Sequence, residues 1–348
     1  MTSSESALPR LEVKRRPLRT RLAFTVVAYG TLALATCLLA PLVGSTSISL
    51  SRVFDRSIPF ADNVDAQIFF LARLPRVLAG AVVGAALAAA GVVLQALLRN
   101  PLATPFTLGV SAGSALGAML AITFGAAATL GPLSPVPLAS LAGALLATFV
   151  VYALASRPGR AMSTSVLLLA GVTLNSFFSA LILFVQYMAD FAESFQTVRW
   201  LMGDLDVGGF SPILGALPLI IASFAIFAVL PSSLNLLSLG PDSAAARGVD
   251  VPRAQRLAFI SSALATAAAV SLAGPIGFVG IVVPHLVRLM VGVDHRVVLP
   301  ASALFGAAFL VGCDLVARTV LAPVEVPVGI VTAMLGGPFF LWLLIRKG

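Results

Sequence analysis

The chain has 348 residues, of which 59% are hydrophobic and 10% charged, and its mean hydropathy is +1.03. Soluble domains carry about 25% charged residues, so the composition excludes a soluble globular protein and indicates an integral membrane protein. The net charge of +8 does not require nucleic-acid binding, because the placement of basic residues around membrane spans accounts for it.

About ten apolar segments approach the roughly 20 residues needed to cross a bilayer. The predicted spans are residues 22–44, 74–98, 106–128, 135–156, 164–188, 211–230, 257–272, 277–292, 297–317 and 327–345. The seventh and eighth are short and almost adjoin. The first is longer than the roughly 7 to 15 residues of a signal-peptide core, so we expect it to be retained. Residues 1–21 then form a basic tail, and residues 22–348 form a single transmembrane domain.

The distribution of charge predicts the orientation. If both termini are cytoplasmic, the inner segments hold 16 basic and 5 acidic residues, and the outer segments hold 6 basic and 9 acidic ones. The inner set includes Arg157 and Arg160 in one short connection. Because basic residues near span ends resist translocation, ten spans with both ends inside fit this distribution.

The longest inner connection, about residues 231–253, has its own pattern. A glycine-proline turn at Gly240 precedes an Asp-Ser helix start at Asp242, and Gly248 supplies a glycine C-cap. This predicts a short amphipathic helix on the inner face, which suits docking to a partner.

Small residues form a stripe along the second span. Gly80, Gly84, Ala88 and Gly91 recur at spacings of three and four, which allows helix backbones to approach closely. Gln95 follows and is predicted to form an interhelical hydrogen bond rather than to bind substrate.

A weak internal repeat is present. Arg73-x-x-Arg76 and Arg253-x-x-Arg256 each introduce an apolar run rich in Ala and Gly. The predicted topology places one pair outside and the other inside, as an inverted repeat of a transporter requires.

Two catalytic motifs are excluded. Ser111 lies in a G-x-S-x-G match, but its surroundings have helical period, and the only histidines are His285 and His295. A P-loop needs Gly-Lys-Ser/Thr, and neither Lys14 nor Lys347 fits. Two histidines ten residues apart do not build a multi-histidine metal site. We therefore expect no catalytic residue, no metal ligand and no bound cofactor in this chain.

Three arginines should lie on the outer, otherwise acidic side. Arg73 and Arg76 begin the second span, and Arg318 ends the ninth. They could anchor lipid phosphates, or they could pair with carboxylates of an external partner, for which the arginine fork provides geometric specificity.

Sequence blocks from span two to span ten resemble the permease subunits of bacterial ABC importers for iron-siderophores, haem and vitamin B12. The matching blocks are Arg73-Leu-Pro-Arg76, Gly91-Val-Val-Leu-Gln95, Asn100-Pro-Leu-Ala103, Leu108-Gly-Val-Ser-Ala-Gly113, Ser163-Thr-Ser-Val-Leu-Leu-Leu-Ala-Gly171, Leu234-Asn-Leu-Leu-Ser-Leu-Gly240, Gly274-Pro-Ile-Gly-Phe-Val-Gly280, Pro284-His285, Asp294-His-Arg296 and Pro327-Val-Gly-Ile-Val-Thr332.

The resemblance implies an all-α, inverted-repeat permease in the bacterial cytoplasmic (inner) membrane. It implies a second permease copy or a paralogue, two cytoplasmic subunits that bind and hydrolyse ATP, and one substrate-binding protein on the outer face. The cargo expected from the resemblance is an iron(III)-siderophore, with vitamin B12 or haem as alternatives.

Three sets of residues are assigned by this resemblance. The arginines that receive the binding protein are Arg73, Arg76 and Arg318. The cytoplasmic gate consists of Asn100, Leu102, Thr164 and Ser165. The ATPase-coupling residues are Gly240, Pro241, Asp242, Ala245, Arg247, Gly248 and Val249.

A secondary transporter driven by an ion gradient is the competing interpretation. Such a protein would normally bury carboxylates in the middle of the membrane, whereas Asp314 and Glu325 fall near predicted span ends. A scaffold membrane protein is a third interpretation, which the Asn100-Pro101 hairpin disfavours.

Overall fold

The computed structural model describes residues 17–125, 134–156 and 161–347, and the regular elements of these residues are all helical. Residues 1–16 of the basic tail, Arg157 and Arg160 lie outside the described residues. The ten main helices are α1 (Leu18–Leu39), α2 (Leu74–Leu98), α3 (Val110–Thr123), α4 (Pro135–Ala155), α5 (Thr164–Met188), α6 (Ser211–Val229), α7 (Val251–Ala273), α8 (Val279–Val291), α9 (His295–Ala317) and α10 (Val328–Lys347).

Shorter helical segments connect the main helices. They are Ala40–Leu42, Leu50–Val53, Phe60–Asp62, Val64–Gln67, the π-helical turn Ile68–Arg73, Pro105–Leu108, Phe191–Leu201, Pro231–Leu237 and Pro241–Ala245. The helix Phe191–Leu201 was not predicted. Its start is fixed by a reciprocal capping box between Asp190 and Glu193.

Seven of the main helices are long and apolar enough to cross a membrane, and α3, α8 and α10 are shorter apolar helices. The all-α membrane fold with about ten helices is therefore confirmed. The prediction of a short seventh span is wrong. Asp250 caps α7 through the backbone N–H of Arg253, so the helix begins at Val251 and has 23 residues.

The eighth helix is shorter than a full span. α8 has 13 residues, about 20 Å at 1.5 Å per residue. Gly274 and Phe278, both with positive φ, turn the chain between α7 and α8. Phe278 is a bulky residue in a left-handed conformation that such residues rarely adopt, and the turn takes up Gly277 and Phe278, the first two residues of the predicted span.

α2 lies at the centre of the structure, packed against α9 and α7. Nearly all of its side chains are buried. A Cβ added at Gly84 would overlap the carbonyl oxygen of Gly306 in α9, and one at Gly91 would overlap that of Gly280 in α8. The predicted role of the small-residue stripe in close helix packing is confirmed.

Candidate functional site

Five charged residues meet at the end of the molecule where α2 begins and α9 ends. This outer charge cluster consists of Arg73, Arg76, Asp314, Arg318 and Glu325. Four of the five are buried, and the side chain of Glu325 is 43% exposed. The elements that bring them together are the π-helical turn, α2, α9 and the connection from α9 to α10.

Arg76 is the centre of the cluster. Its Nε donates to Asp314 Oδ1 at 2.8 Å, and its Nη1 donates to Glu325 Oε2 at 2.5 Å. The second carboxylate oxygen of Asp314 lies 3.6 Å from Nε of Arg318. Asp314 is thus a buried anion between two arginines, an arrangement that offsets the cost of placing its charge in the membrane domain.

Arg73 and Arg318 are held mainly by backbone carbonyls. Arg318 donates to the carbonyl of Ala40 at 2.6 Å, and Arg73 donates to the carbonyls of Pro41 and Thr46. These carbonyls follow α1, so both arginines tie the end of α1 to the rest of the cluster.

The structure brings the three predicted docking arginines together, but not as free outward-facing groups. All three are less than 10% exposed, and their guanidinium groups already have partners. Asp314, Glu325 and the carbonyls after α1 hold them, although Nε of buried Arg318 has no hydrogen-bond partner among the described residues. Their assignment to docking stays a prediction. Three cations against two anions still leave one formal excess positive charge.

A cavity of about 320 Å³ opens beside the cluster. Arg76, Glu325, Asp204 and Asp206 are among the residues that line it. Arg199, also in the wall, lies 3.6 Å from Asp204. The Arg76–Glu325 pair is therefore the part of the cluster that an arriving group can reach.

The predicted gate residues occupy two helix ends. Asn100 accepts a hydrogen bond from the N–H of Leu102 at 2.9 Å, which closes the turn after α2. Thr164 and Ser165 begin α5, and Ser163 caps that helix. Leu102 and Ser165 are exposed. A hydrogen bond joins α5 to the segment after α2 further along both: the side chain of Asn175 donates to the carbonyl of Phe106 at 2.9 Å.

The predicted coupling residues form an exposed corner. Asp242, Ala245, Arg247 and Gly248 are exposed, whereas Ala244 is fully buried and anchors the corner. Pro241 is the first residue of the helix Pro241–Ala245, Gly240 precedes it at φ 114°, and Val249 N–H bonds back to the carbonyl of Ala244. The predicted Asp-Ser helix start is wrong by one residue, because the turn at Gly240 already starts the helix.

Asn235 connects this corner to α9. Its side chain donates to Asp294 Oδ1 at 2.8 Å, and its Oδ1 accepts from the N–H and the ring Nδ1 of His295 at 2.9 and 2.7 Å. Asp294 in turn caps α9 and pairs with Arg296. These hydrogen bonds hold the pKa of Asp294 well below its usual range, chiefly through the Arg296 side chain.

Sequence analysis missed the roles of Asn235, Asp294 and Glu325. Asn235 and Asp294 both lie in motifs that carried the family resemblance, so a signal existed, but their pairing across 59 residues was not visible in it. Gln95 behaves as predicted, donating to the carbonyl of Gly280 and accepting from Arg288. Among the described residues no group of three His, Cys, Asp or Glu side chains could hold a metal ion.

Comparison with known proteins identifies the family. The model of the FecCD transport family matches residues 32–346. The cobalamin import permease of Halobacterium salinarum is 46% identical over 78% of this chain and 72% of its own length. The hemin transport permease of Yersinia pestis is 38% identical over 94% and 96%, and the vitamin B12 import permease of Vibrio cholerae is 39% identical over 91% and 92%.

A solved structure agrees with these sequence matches. It is described as an inward-facing conformation of a metal-chelate type ABC transporter, is 33% identical, and covers 93% of this chain and 99% of its own with a TM-score of 0.79. The chain belongs to the FecCD transport family.

Proposed function

We propose that this chain is the permease of an ATP-driven importer that moves a bulky metal chelate across the cytoplasmic membrane. The observation that carries the proposal is the match to the FecCD family over residues 32–346, at identities of 38–46% to cobalamin and hemin permeases. In the proposed assembly this chain and a second copy or a paralogue form the pathway. Two ATP-binding subunits supply the energy from the cytoplasm.

The names of the relatives bear on the cargo. Two of the three named relatives are cobalamin or vitamin B12 permeases and one is a hemin permease. They support cobalamin or haem ahead of the iron(III)-siderophore that the sequence resemblance favoured. All three cargoes are bulky metal chelates, and we propose that the choice between them is made by the binding protein outside the membrane.

The outer charge cluster is the proposed docking site of that binding protein. The five residues of the cluster carry one excess positive charge, which favours an acidic partner surface, although the cavity wall itself holds Arg76 and Arg199 against Asp204, Asp206 and Glu325. Because the guanidinium of Arg76 is already paired, docking proceeds by exchange: a partner carboxylate replaces Glu325 on Nη1 of Arg76. Asp314 is buried and remains in place. Arg73 and Arg318 then act by charge rather than by direct contact.

The opposite end of the molecule is the proposed ATPase contact. The exposed residues Asp242, Ala245 and Arg247 offer a surface, and Asn235 connects the same segment to α9. Movement of this corner changes the cytoplasmic gate at Asn100, Leu102, Thr164 and Ser165. Each ligand drives the cycle only through different affinities for the two states.

The buried carboxylate Asp314 does not favour a gradient-driven transporter. A coupling site needs a carboxylate that can gain and lose an ion or proton during the cycle. Asp314 instead lies in the last turn of α9, where Arg76 and Arg318 neutralise it.

Uptake into proteoliposomes tests the proposal. The chain is reconstituted with its cognate ATPase and binding protein, and cobalamin, haemin and a ferric siderophore are offered in separate assays. We expect ATP-dependent uptake of one of the three, and none with an ATPase that binds but does not hydrolyse ATP. Uptake without ATP that follows a proton or sodium gradient would contradict the proposal.

A further inference from the structure

A groove of about 550 Å³ runs between α1 and the end of α8. One face of α1 forms most of it, and the last two residues of α8 form the rest. The lining residues are Thr20, Arg21, Phe24, Thr25, Ala28, Tyr29, Leu32, Met290 and Val291. The groove is separate from the outer charge cluster, the gate and the coupling corner.

The groove is apolar along its length and basic at one end. Phe24, Leu32 and Met290 are large, exposed hydrophobic side chains of its wall. Tyr29 lies buried at its floor, with its hydroxyl 3.1 Å from the sulfur of Met290. Among the residues that the structure describes, Arg21 is the one charged residue that lines it.

The length of the groove matches one leaflet of a bilayer. Thr20 and Leu32 are twelve residues apart on α1, or about 18 Å along the helix axis. The hydrocarbon depth of one leaflet is about 15 Å. An acyl chain that fills the groove from Leu32 toward Thr20 therefore ends near the beginning of α1, where lipid headgroups lie.

Arg21 is placed to bind an anion at that end. Its Nη2 donates to the carbonyl of Val291 at 2.7 Å, which fixes the guanidinium over the end of α8. A guanidinium has five N–H donors, so others remain for a phosphate. The positive end of the α1 dipole is one turn away and adds to the attraction.

We propose that this groove binds one anionic phospholipid, with its phosphate on Arg21 and one acyl chain between α1 and α8. The match of depth, apolar wall and a single fixed cation favours this occupant over a soluble anion, which would leave the apolar wall exposed. The bound lipid joins α1 to α8, two helices that are otherwise linked here by Arg21 and Tyr29.

Native mass spectrometry of the full-length protein in detergent tests the site. Phosphatidylglycerol and phosphatidylcholine with identical acyl chains are added in turn. We expect one tightly retained phosphatidylglycerol, with about a fivefold preference over phosphatidylcholine, the factor expected for one basic residue at an anionic surface. Equal retention of both lipids by the wild-type protein would overturn the proposal.

Variants separate the groove from general surface charge. Arg21→Gln should lose the preference and Arg21→Lys should keep most of it. Arg19→Gln, which removes the same charge two residues away but outside the groove, should match wild type. Ala28→Trp should fill the groove and lose the retained lipid.

Two results would contradict the groove as the site. Equal losses in Arg19→Gln and Arg21→Gln would show only general attraction to the surface, and undiminished retention in Ala28→Trp would place the lipid elsewhere. Thermal melting of each variant confirms that it is folded.

Discussion

The two ends of α9 both carry an aspartate paired with an arginine, but the two pairs have different structural roles. At the outer end Asp314 is 1% exposed and lies between Arg76 and Arg318. At the inner end Asp294 pairs with the exposed Arg296 and with Asn235. The outer pair is a buried tertiary contact between α2 and α9, whereas the inner pair caps a helix at the surface.

Burial, rather than charge pairing itself, therefore decides how much free energy of unfolding a substitution costs. A buried ion that loses its partner retains its desolvation penalty. An exposed ion recovers its hydration from water, so the same loss costs far less.

Removal of the outer carboxylate should have the largest effect. Asp314→Asn leaves Arg76 and Arg318 close together without their shared anion, and we expect a loss of about 3–5 kcal/mol in the free energy of unfolding. Asp206→Asn, an exposed carboxylate beside the same cluster, is the control and should change stability by less than about 0.5 kcal/mol. Similar melting temperatures of the two variants in detergent would contradict the burial of Asp314 between the two arginines.

The centre of α9 provides the second test. A Cβ at Gly306 would meet the Gly84 carbonyl and the Ala88 Cβ, both at 2.5 Å, whereas a Cβ at Gly312 meets nothing within 4 Å. Gly306→Ala should therefore cost about 1–3 kcal/mol, while Gly312→Ala should be neutral or gain up to about 1 kcal/mol. Equal stability of the two variants would show that α2 and α9 are not held as closely as described.

The inner link should have a smaller effect on stability. Asn235→Ala removes the bonds to Asp294 and His295, a loss of about 1–2 kcal/mol. Its larger consequence should be on coupling: ATP hydrolysis in the reconstituted complex should respond less to the loaded binding protein. Ser238→Ala, whose hydroxyl bonds only within its own turn, should retain the response. An unchanged response in Asn235→Ala would remove Asn235 from the coupling contact.

The smallest effect concerns pH. The pKa of Asp294 is depressed in the folded state, so its contribution to stability is complete above the unfolded pKa of about 3.9 and is lost as pH falls through the folded value. The difference in melting temperature between wild type and Asp294→Asn should stay constant from about pH 8 to 5 and narrow below about pH 4. A difference that disappears near neutral pH would contradict the assigned pairing.

Much of this fold follows from the order of apolar segments. Segment boundaries on α2, α4, α5 and α9 lie within two residues of those predicted. The start of α7 does not: the helix begins six residues before the predicted span, because capping by Asp250 through the N–H of Arg253 is an interaction that hydropathy does not measure.

Sequence analysis predicted which arginines belong to the candidate site, but not which residues pair with them. Helix ends placed Arg73, Arg76 and Arg318 on one side of the membrane. They did not reveal that Asp314 and Glu325 would neutralise them, since that pairing joins residues more than 230 positions apart. The similarly spaced Arg253 and Arg256 are exposed, so spacing alone does not distinguish a buried arginine pair from a solvated one.

The proposed exchange of Glu325 for a partner carboxylate is tested by the apparent affinity of the binding protein for the reconstituted complex. Affinity is read from the stimulation of ATP hydrolysis in Glu325→Gln and Asp206→Asn, each of which removes one negative charge from the wall of the same cavity. We predict roughly two- to fivefold tighter binding in Glu325→Gln, because an ion pair whose carboxylate is exposed no longer has to be broken, and little change in Asp206→Asn. Equal affinities of the two variants would contradict the exchange.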